Sequence, residues 1–479
     1  MENKYLLSKK KEKKFDHSIT LNNYYFNHNY NSSNIHMIEN VDSFILIIGD
    51  FIDAEQPMKT IEETAERLSK TKGIDDLIEQ TKYLAGRYLI FTGDRQGLRH
   101  ILTDPTVTIP INYTFNDDKY IISSHAKYIA DIYGFKQSRD AINIKKAAEQ
   151  QQPLPYNITM YEEIYTLIPN HYLDIKKKRM ERFFPTHSIE QVSMDEAVIE
   201  TIEKTKNIID GYFNTRKISL PITSGVDSRA VLALMKKQVQ ELKMYTYYHE
   251  EFTEETGDIK IPRELASTFN IEYKTLPIKK IPEKVDEKIS SELAGLENHR
   301  ILNNGYTYSK SELSTHYPAQ GDIISLTKSP FGKNLPESWA TLSYFITKTH
   351  NYSSEIKQYV KKWMDDTEKY AEDNNISLYD LYNWEYRLGR WLPNNIKNYD
   401  YFIDPIYIFN CRYLVELWVS ISKEERTNRS LHLEMIEKEW PELMTIPFNP
   451  DDKVIDKMFS NSYMFYFGSF AKYYIKKWV

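Results

Sequence analysis

The sequence contains very little cysteine, little glycine and no strong excess of charge of either sign. Of its 479 residues, one is cysteine and 15 are glycine. A single thiol can form neither an internal disulfide nor a zinc cluster, which fits a reducing compartment. The net charge of −6 provides no basic surface of the kind that nucleic-acid-binding proteins carry. We therefore expect a cytoplasmic protein that binds no nucleic acid.

Long apolar runs are also missing. The longest, such as residues 44–48, have the length of a β-strand and fall short of the roughly 18 residues of a membrane span. The first residues do not lead into a secretory signal. Apolar residues nevertheless make up 41% of the chain, which suffices for sizeable cores and about two large domains. We expect a protein without a membrane span.

Two patterns follow one another along the chain. Up to about residue 182, short apolar segments bounded by turn residues predict strands, whereas from Ser193 helices and strands alternate. The alternation predicts a parallel sheet covered on both faces, and the proline at position 185 marks the boundary between the two parts. The predicted strands are 44–48, 83–91, 106–112, 119–123, a pair within 164–175, 218–222, 244–248 and 271–276; the predicted helices are 57–72, 125–133, 193–213, 224–237 and 258–269.

The segment that carries chemistry lies at residues 220–229 (LPITSGVDSR), where a buried strand gives way to small residues and then a helix. Small residues such as Gly225 let backbone N–H groups approach an anion, and the positive end of the helix dipole points at that anion. Asp227 is unexpected in a phosphate cradle unless Mg²⁺ bridges it to phosphate oxygens. A polar turn that only caps a helix is the alternative, and the strand–loop–helix context favours the anion site.

This segment resembles the S-G-G-x-D-S pyrophosphate loop of glutamine-hydrolysing asparagine synthetases and their relatives. Thr223 takes the place of the first serine and Ser224 that of the first glycine, while Gly225, Asp227 and Ser228 match. The resemblance implies that the next strand and the helix after it contribute contacts to ATP. The ATP- and pyrophosphate-binding residues that it implies are Thr223, Ser224, Gly225, Val226, Asp227, Ser228, Tyr247, Asp258 and Gly321.

The resemblance extends over nearly the whole chain, although only the loop is specific. Residues 86–90, 123–127 and 168–173 look like the family's amidotransferase-like N-terminal domain, and Asp404 matches the aspartate of its P-F-L-D element. Lys453 lies where the family places a late pyrophosphate-binding lysine, with an ordinary solvated lysine as the alternative. The implied fold class is α/β. An amidotransferase-like αββα sandwich (1–187) is expected before a parallel-sheet pyrophosphate-loop synthetase domain with a helical C-terminal part (188–479).

Two departures from the family pattern shape the expected function. The family's glutaminase half uses a cysteine directly after the initiator methionine, because a thiolate must attack the glutamine amide. Position 2 here is Glu2, and the only cysteine, Cys411, follows an apolar stretch and is expected to be buried. The family's acidic G-x-G-A-D-E element is reduced to Gly321 and Asp322. We expect Asp322 to join Asp227 as a metal ligand. We expect Lys328 nearby to be an ordinary surface lysine, with a lysine that lends positive charge to the site as the alternative.

The resemblance therefore implies an ATP-dependent, AMP-forming carbon–nitrogen ligase with ATP and Mg²⁺ as cofactors. Its substrates would be a small-molecule or peptide carboxylate and an amine or free ammonia. Asp227 and Lys453 would be the catalytic residues, and a homodimer or a biosynthetic-complex partner is possible. A catalytically degenerate nucleotide-binding scaffold and an ammonia-dependent asparagine synthetase are the alternatives. Nucleic-acid modification by a related loop is disfavoured by the acidic charge.

Overall fold

Three β-sheets organise the protein, which is described here from a computed structural model covering residues 3–116, 119–149, 152–449 and 462–478. Two of the sheets are antiparallel and lie in the first part of the chain. The strands of this part are β1 (Tyr5–Ser8), β2 (His17–Leu21), β3 (Tyr24–His28), β4 (Ile35–Glu39), β5 (Ser43–Asp53), β6 (Leu84–Asp94), β7 (Gly97–Thr103), β8 (Asn112–Asn116), β9 (Lys119–Ser123), β10 (Tyr165–Thr166), β11 (His171–Asp174) and β12 (Arg179–Arg182); its helices are α1 (Ile61–Leu68), α2 (Ile74–Gln80), α3 (Ala126–Tyr133) and α4 (Arg139–Lys146).

The two antiparallel sheets, of order β10-β8-β9-β1-β3-β2 and β12-β11-β7-β6-β5-β4, pack face to face. The alternation of side chains along β5 explains this layering. Leu46 and Ile48 face the core between the sheets, whereas Ile45 and Ile47 face the core beneath α1 and α2. Helix α3 packs on β8 and β9 of the other sheet. The α/β class and its αββα sandwich are as the sequence predicts.

Some predicted strand limits are wrong. Strand β5 runs through Gly49 to Asp53, because it pairs with β6 along eleven residues and Gly49 adopts a φ of 129° that favours glycine. A Cβ there would lie 2.0 Å from the carbonyl oxygen of Arg87. Strand β6 likewise continues to Asp94. No strand covers residues 106–111, because the Asp104 carboxylate accepts the backbone N–H groups at positions 106 and 108 and winds the chain into a loop.

The second part of the chain is built on a parallel sheet surrounded by helices. A π-helical turn (Tyr382–Leu388) precedes α13. The strands are β13 (Ile218–Pro221), β14 (Lys243–Tyr248), β15 (Glu272–Pro277), β16 (Tyr317–Gln320) and β17 (Ile406–Tyr407); the helices are α5 (Met194–Thr215), α6 (Val226–Leu234), α7 (Gly257–Phe269), α8 (Glu283–Leu293), α9 (His299–Ser309), α10 (Leu342–Lys348), α11 (Ile356–Asp373), α12 (Leu378–Leu381), α13 (Gly389–Tyr399), α14 (Arg412–Ser420), α15 (Lys423–Asn428), α16 (Leu431–Glu439) and α17 (Ser462–Trp478).

The parallel sheet has the order β15-β14-β13-β16-β17. The chain adds β14 and β15 on one side of β13, then returns to add β16 and β17 on the other. The order therefore reverses between β13 and β16, and ligands of open α/β sheets bind at the carboxyl ends of strands at such a reversal. The three strands predicted here are confirmed within two residues at each end, whereas α6 is shorter than predicted because residues 224 and 225 belong to the loop.

The two parts of the chain contact each other through buried ion pairs. Arg87 of β6 donates hydrogen bonds of 2.9 Å to both Asp400 and Asp404, which follow α13. The predicted boundary at residue 187 stays a prediction; β12 ends at Arg182, and α5 begins at Met194. None of the helices in the described part of the chain combines the length and the apolar character needed to cross a membrane.

Candidate functional site

The loop at residues 223–228 occupies the carboxyl end of β13, at the reversal of the strand order. The backbone N–H and the hydroxyl of Thr223 both reach Ser228 Oγ, at 3.2 and 3.1 Å, and the N–H of Gly225 donates to Thr223 Oγ1 at 3.2 Å. Val226 is the first residue of α6, and no side chain caps this helix. The loop thus has a defined shape, and the N–H groups of the first helical turn are available for an anion.

Asp258, which follows the connection between β14 and α7, stabilises the loop through hydrogen bonds. It lies at the second position of α7, where its carboxylate Oδ1 accepts the backbone N–H of Ser224 at 2.9 Å and the Ser224 hydroxyl at 2.8 Å. Both Ser224 donors are therefore directed at a protein carboxylate, and in this arrangement Ser224 and Asp258 position the loop. The Thr246 hydroxyl of β14 adds a hydrogen bond of 2.6 Å to the carbonyl of Ile222.

Asp227 lies between the ammonium of Lys328 and the imidazole of His432, whose pKa is lowered by burial. Its Oδ1 lies 2.7 Å from Lys328 Nζ and 3.1 Å from Nε2 of the fully buried His432. Burial alone would raise the pKa of Asp227, but His432 and Lys328 outweigh it and hold that pKa below its ordinary value. The carboxylate is therefore charged at neutral pH. The expectation that Lys328 is an ordinary surface lysine is wrong, because the turn after β16 brings it to the loop.

Asp322 lies just after β16, close enough to Asp227 for the two charges to interact. Although its side chain is exposed, the surrounding protein partly desolvates it and raises its pKa to about 6, and the charge of Asp227 raises it further. Two carboxylates that repel one another fit a divalent cation, since Mg²⁺ in nucleotide sites uses one or two carboxylates together with phosphate oxygens. Among the described residues, no group of three or more His, Cys, Asp or Glu side chains could hold a metal by itself.

Gly321 brings the β16 turn close to α6. A Cβ at this position would lie 2.9 Å from Val231 Cγ2, so the Val231 side chain or the backbone at Gly321 must move when a side chain is added. We expect Gly321→Ala to lower the free energy of unfolding by about 1–3 kcal/mol, the usual cost of overpacking. Urea denaturation measures this change. Val231→Ala in the same chain should recover most of the loss. A double variant whose loss in free energy of unfolding equals the sum of the losses in the two single variants would contradict this contact.

Arg229, directly after the loop, is a positioning residue that the sequence did not reveal. It is fully buried, and its guanidinium donates to the carbonyls of Leu443, Ile446 and Pro447 at 3.3, 2.5 and 2.9 Å. The backbone N–H of Asn449 then donates to the carbonyl of Ser224 at 3.2 Å. Arg229 therefore holds the segment at residues 443–449 against α6 and the loop.

Tyr247 lies apart from these contacts. Tyr247 is half-buried at the end of β14, with its ring 5.3 Å from that of Tyr245, and it packs against an apolar cluster. Its contact with ATP stays a prediction. Lys453 lies outside the described residues. His432 was missed altogether, because a single histidine in the helical pattern of α16 gives no sign that it meets Asp227.

Comparisons with known proteins show a limited similarity. No protein-family model matches the sequence, and no curated protein matches it. An NMN synthetase from Francisella tularensis is similar at 15% identity and a TM-score of 0.21, over 29% of this chain and 58% of that one. An allosteric regulatory enzyme of purine biosynthesis is similar at 9% identity and a TM-score of 0.25, over 57% of this chain and 74% of that one. With TM-scores this low, neither similarity carries an argument about function.

Proposed function

We propose that the chain is an ATP-dependent, AMP-forming carbon–nitrogen ligase of the asparagine synthetase-like kind. The observation that carries the proposal is the position of the loop at residues 223–228, where the parallel sheet reverses its strand order and α6 presents an uncapped N-terminus. Beside this loop, Lys328 pairs with Asp227, and the charges of Asp227 and Asp322 interact. Opposite charges gathered at one place suit a polyphosphate with its counter-ion better than a neutral ligand.

In the proposed reaction, a carboxylate oxygen of the substrate attacks the α-phosphorus of ATP, and the bond to the pyrophosphate oxygen breaks. The first-turn N–H groups of α6 and the ammonium of Lys328 would bind the leaving pyrophosphate. Asp227 and Asp322 would hold Mg²⁺, which would offset phosphate charge when bound. An amine nitrogen then attacks the acyl carbon, loses a proton and displaces AMP. Each positioned donor aimed at developing charge typically contributes about 3–4 kcal/mol.

The proposed nitrogen source is a substrate amine or free ammonia. The only thiol of the sequence, Cys411, is fully buried, and burial raises its pKa to about 12. A buried thiol that stays protonated is a poor nucleophile. As the sequence predicts, Cys411 is buried, and its Sγ lies 3.6 Å from the carbonyl oxygen of Lys82.

The absence of glutamine hydrolysis is directly testable. We expect no glutamate to form from glutamine, with or without ATP, and Cys411→Ser to leave amide formation from added ammonium unchanged. A coupled glutamate dehydrogenase assay measures the first and product mass spectrometry the second. Glutamate release that is lost in Cys411→Ser would contradict the proposed nitrogen source.

Hydroxylamine trapping tests the proposed function without knowledge of the amine. Hydroxylamine converts an acyl-adenylate into a hydroxamate, so a panel of carboxylates is incubated with ATP, Mg²⁺ and hydroxylamine, and AMP is measured in parallel. We expect one class of carboxylate to give equal amounts of hydroxamate and AMP. Formation of ADP in place of AMP would exclude this reaction class. Aspartate belongs in the panel, because it separates ammonia-dependent asparagine synthesis from ligation of another acid.

A nucleotide-binding protein without turnover is the second candidate. The ion pair between Asp227 and Lys328 favours it, because a lysine already neutralises the carboxylate that would hold a metal. Lys328→Ala separates the two candidates. A ligase in which Lys328 binds pyrophosphate should lose activity in this variant. A protein that binds nucleotide without turnover should bind Mg·ATP but release no pyrophosphate when a carboxylate is added, both in the wild type and in Lys328→Ala.

A further inference from the structure

A second cavity lies away from the loop, between the antiparallel sandwich and the helices of the second part. Its volume is about 60 Å³, which gives room for about four to six water-sized groups. The sandwich contributes the loop before β8, the first turn of α3 and helix α4. The second part contributes the end of α8 and one face of α13.

The charged lining of this cavity is unbalanced. Lys127, Lys145, Arg390 and Lys397 line it, against Glu292 as the acid. Since Lys127 pairs with Asp131 at 2.5 Å, three cationic side chains remain.

Glu292 is already engaged elsewhere. Its Oε1 lies 3.3 Å from Lys4 Nζ, and its Oε2 accepts the Tyr401 hydroxyl at 2.9 Å. Glu292 therefore cannot fully balance the three remaining cations.

None of these three cations forms a direct ion pair within the part of the chain that the structure describes, although the charges of Glu297 and Asp400 act on Lys145 and Lys397 from farther away. No carboxylate oxygen lies within the 4.0 Å of an ion pair from the nitrogen of Lys145, Lys397 or Arg390. Burial lowers the pKa of Lys397 to about 8 and Arg390 adds to the fall, while Asp400 opposes it. Burial likewise lowers the pKa of Lys145. Clustered cations in a protein interior are costly without a counter-ion.

The guanidinium of Arg390 is fixed in place. Its Nε donates to the carbonyl of Leu154 at 3.0 Å, and its Nη2 donates to the carbonyl of Ile158 at 2.8 Å. Both acceptors belong to the sandwich, so this arginine of α13 is oriented by the opposite wall of the cavity. A planar, pre-oriented guanidinium that lines one cavity with the ammonium groups of Lys145 and Lys397 is a donor set suited to carboxylate and phosphate groups.

We propose that this cavity binds a small anion carrying a carboxylate or phosphate group, held by Lys145, Arg390 and Lys397. The anion would supply the charge that the protein lacks here and would join the two parts of the chain. This proposal does not depend on the ligase activity, because the cavity and the pyrophosphate loop share no residue.

Residue-specific lysine labelling tests the proposal. The full-length protein is treated briefly with acetic anhydride, and acetylation at each lysine is measured by mass spectrometry with inorganic phosphate, malonate or chloride at equal ionic strength. We expect phosphate or malonate to reduce labelling of Lys145 and Lys397 several-fold relative to chloride. Lys146, the exposed neighbour on α4, should be labelled equally in all three.

The two ammonium groups also allow a cross-check. In Lys397→Met, the anions should no longer protect Lys145 from acetylation, and in Lys145→Met they should no longer protect Lys397. One of the two variants is enough for this test, provided that it folds. Protection by phosphate alone identifies a phosphate group, and protection by malonate alone identifies a carboxylate. Equal labelling in phosphate, malonate and chloride would overturn the proposal, and so would protection that survives in these variants.

Discussion

Replacing Asp227 by alanine should slow pyrophosphate release from ATP by about 100- to 1000-fold, the usual effect of removing one positioned group from a site of developing charge. Asp227 contacts both Lys328 and His432, so its loss removes a proposed metal ligand and leaves the Lys328 ammonium without its carboxylate partner. Pyrophosphate release is measured with the carboxylate identified by hydroxylamine trapping. Asp227→Asn should be nearly as inactive, because the amide keeps the size of the side chain without its charge.

Asp365→Ala is the matched control for this substitution. Asp365 lies on α11, is largely exposed and, among the residues that the structure describes, pairs only with Lys361, four residues before it. This variant should keep full activity, since exposed ion pairs contribute about 0–1 kcal/mol. Thermal unfolding of all three variants separates a catalytic loss from misfolding. Full pyrophosphate release by a folded Asp227→Ala protein would rule out the proposed role of the loop.

Arg229→Met should lower the free energy of unfolding by about 2–4 kcal/mol, since a hydrogen bond to a charged group contributes about 1.5–3 kcal/mol and buried acceptors that lose their donor are costly. Methionine keeps much of the length of the side chain but leaves three backbone carbonyls without their donor. It also removes the guanidinium that lies 3.9 Å from the ring centroid of Phe448. Urea denaturation measures the loss.

Arg263→Met provides the comparison on the neighbouring helix α7. Arg263 is half-exposed and pairs with the exposed Glu254, so its replacement should change stability by less than about 0.5 kcal/mol. We also expect Arg229→Met to weaken ATP binding, because the segment at residues 443–449 loses its anchor beside the loop. An Arg229→Met protein as stable as Arg263→Met would show that these carbonyls find other donors.

The local elements of the site could be predicted from the sequence. A buried strand, small residues and a following helix form one continuous pattern, and the structure reproduces it, with the helix beginning at Val226 and not at the predicted residue 224. The limits of the strands depend on their partners. The sequence pattern predicts a strand that ends at residue 48, whereas β5 continues through Gly49 because the pairing with β6 tolerates the positive φ of this glycine. Local composition does not reveal a partner strand more than thirty residues away.

Contacts over long sequence distances could not be predicted. Arg229 is separated from its acceptors by more than 200 residues, and Asp227 meets Lys328 and His432 only because β16 and α16 return to the loop. One sign was present, since Arg229 precedes the wholly apolar run at residues 230–234, where a charged residue needs buried partners. The identity of those partners depended on the tertiary structure.

The central claim is that the loop at residues 223–228 binds the phosphates of ATP. Hydrogen–deuterium exchange with and without Mg·ATP measures this directly, residue by residue. We predict slower exchange of the amides of Val226, Asp227 and Ser228 and of the turn at residues 321–328, with little change in the antiparallel sandwich. Binding of Mg·ATP that leaves exchange in the loop unchanged, or that protects a different region, would contradict the account.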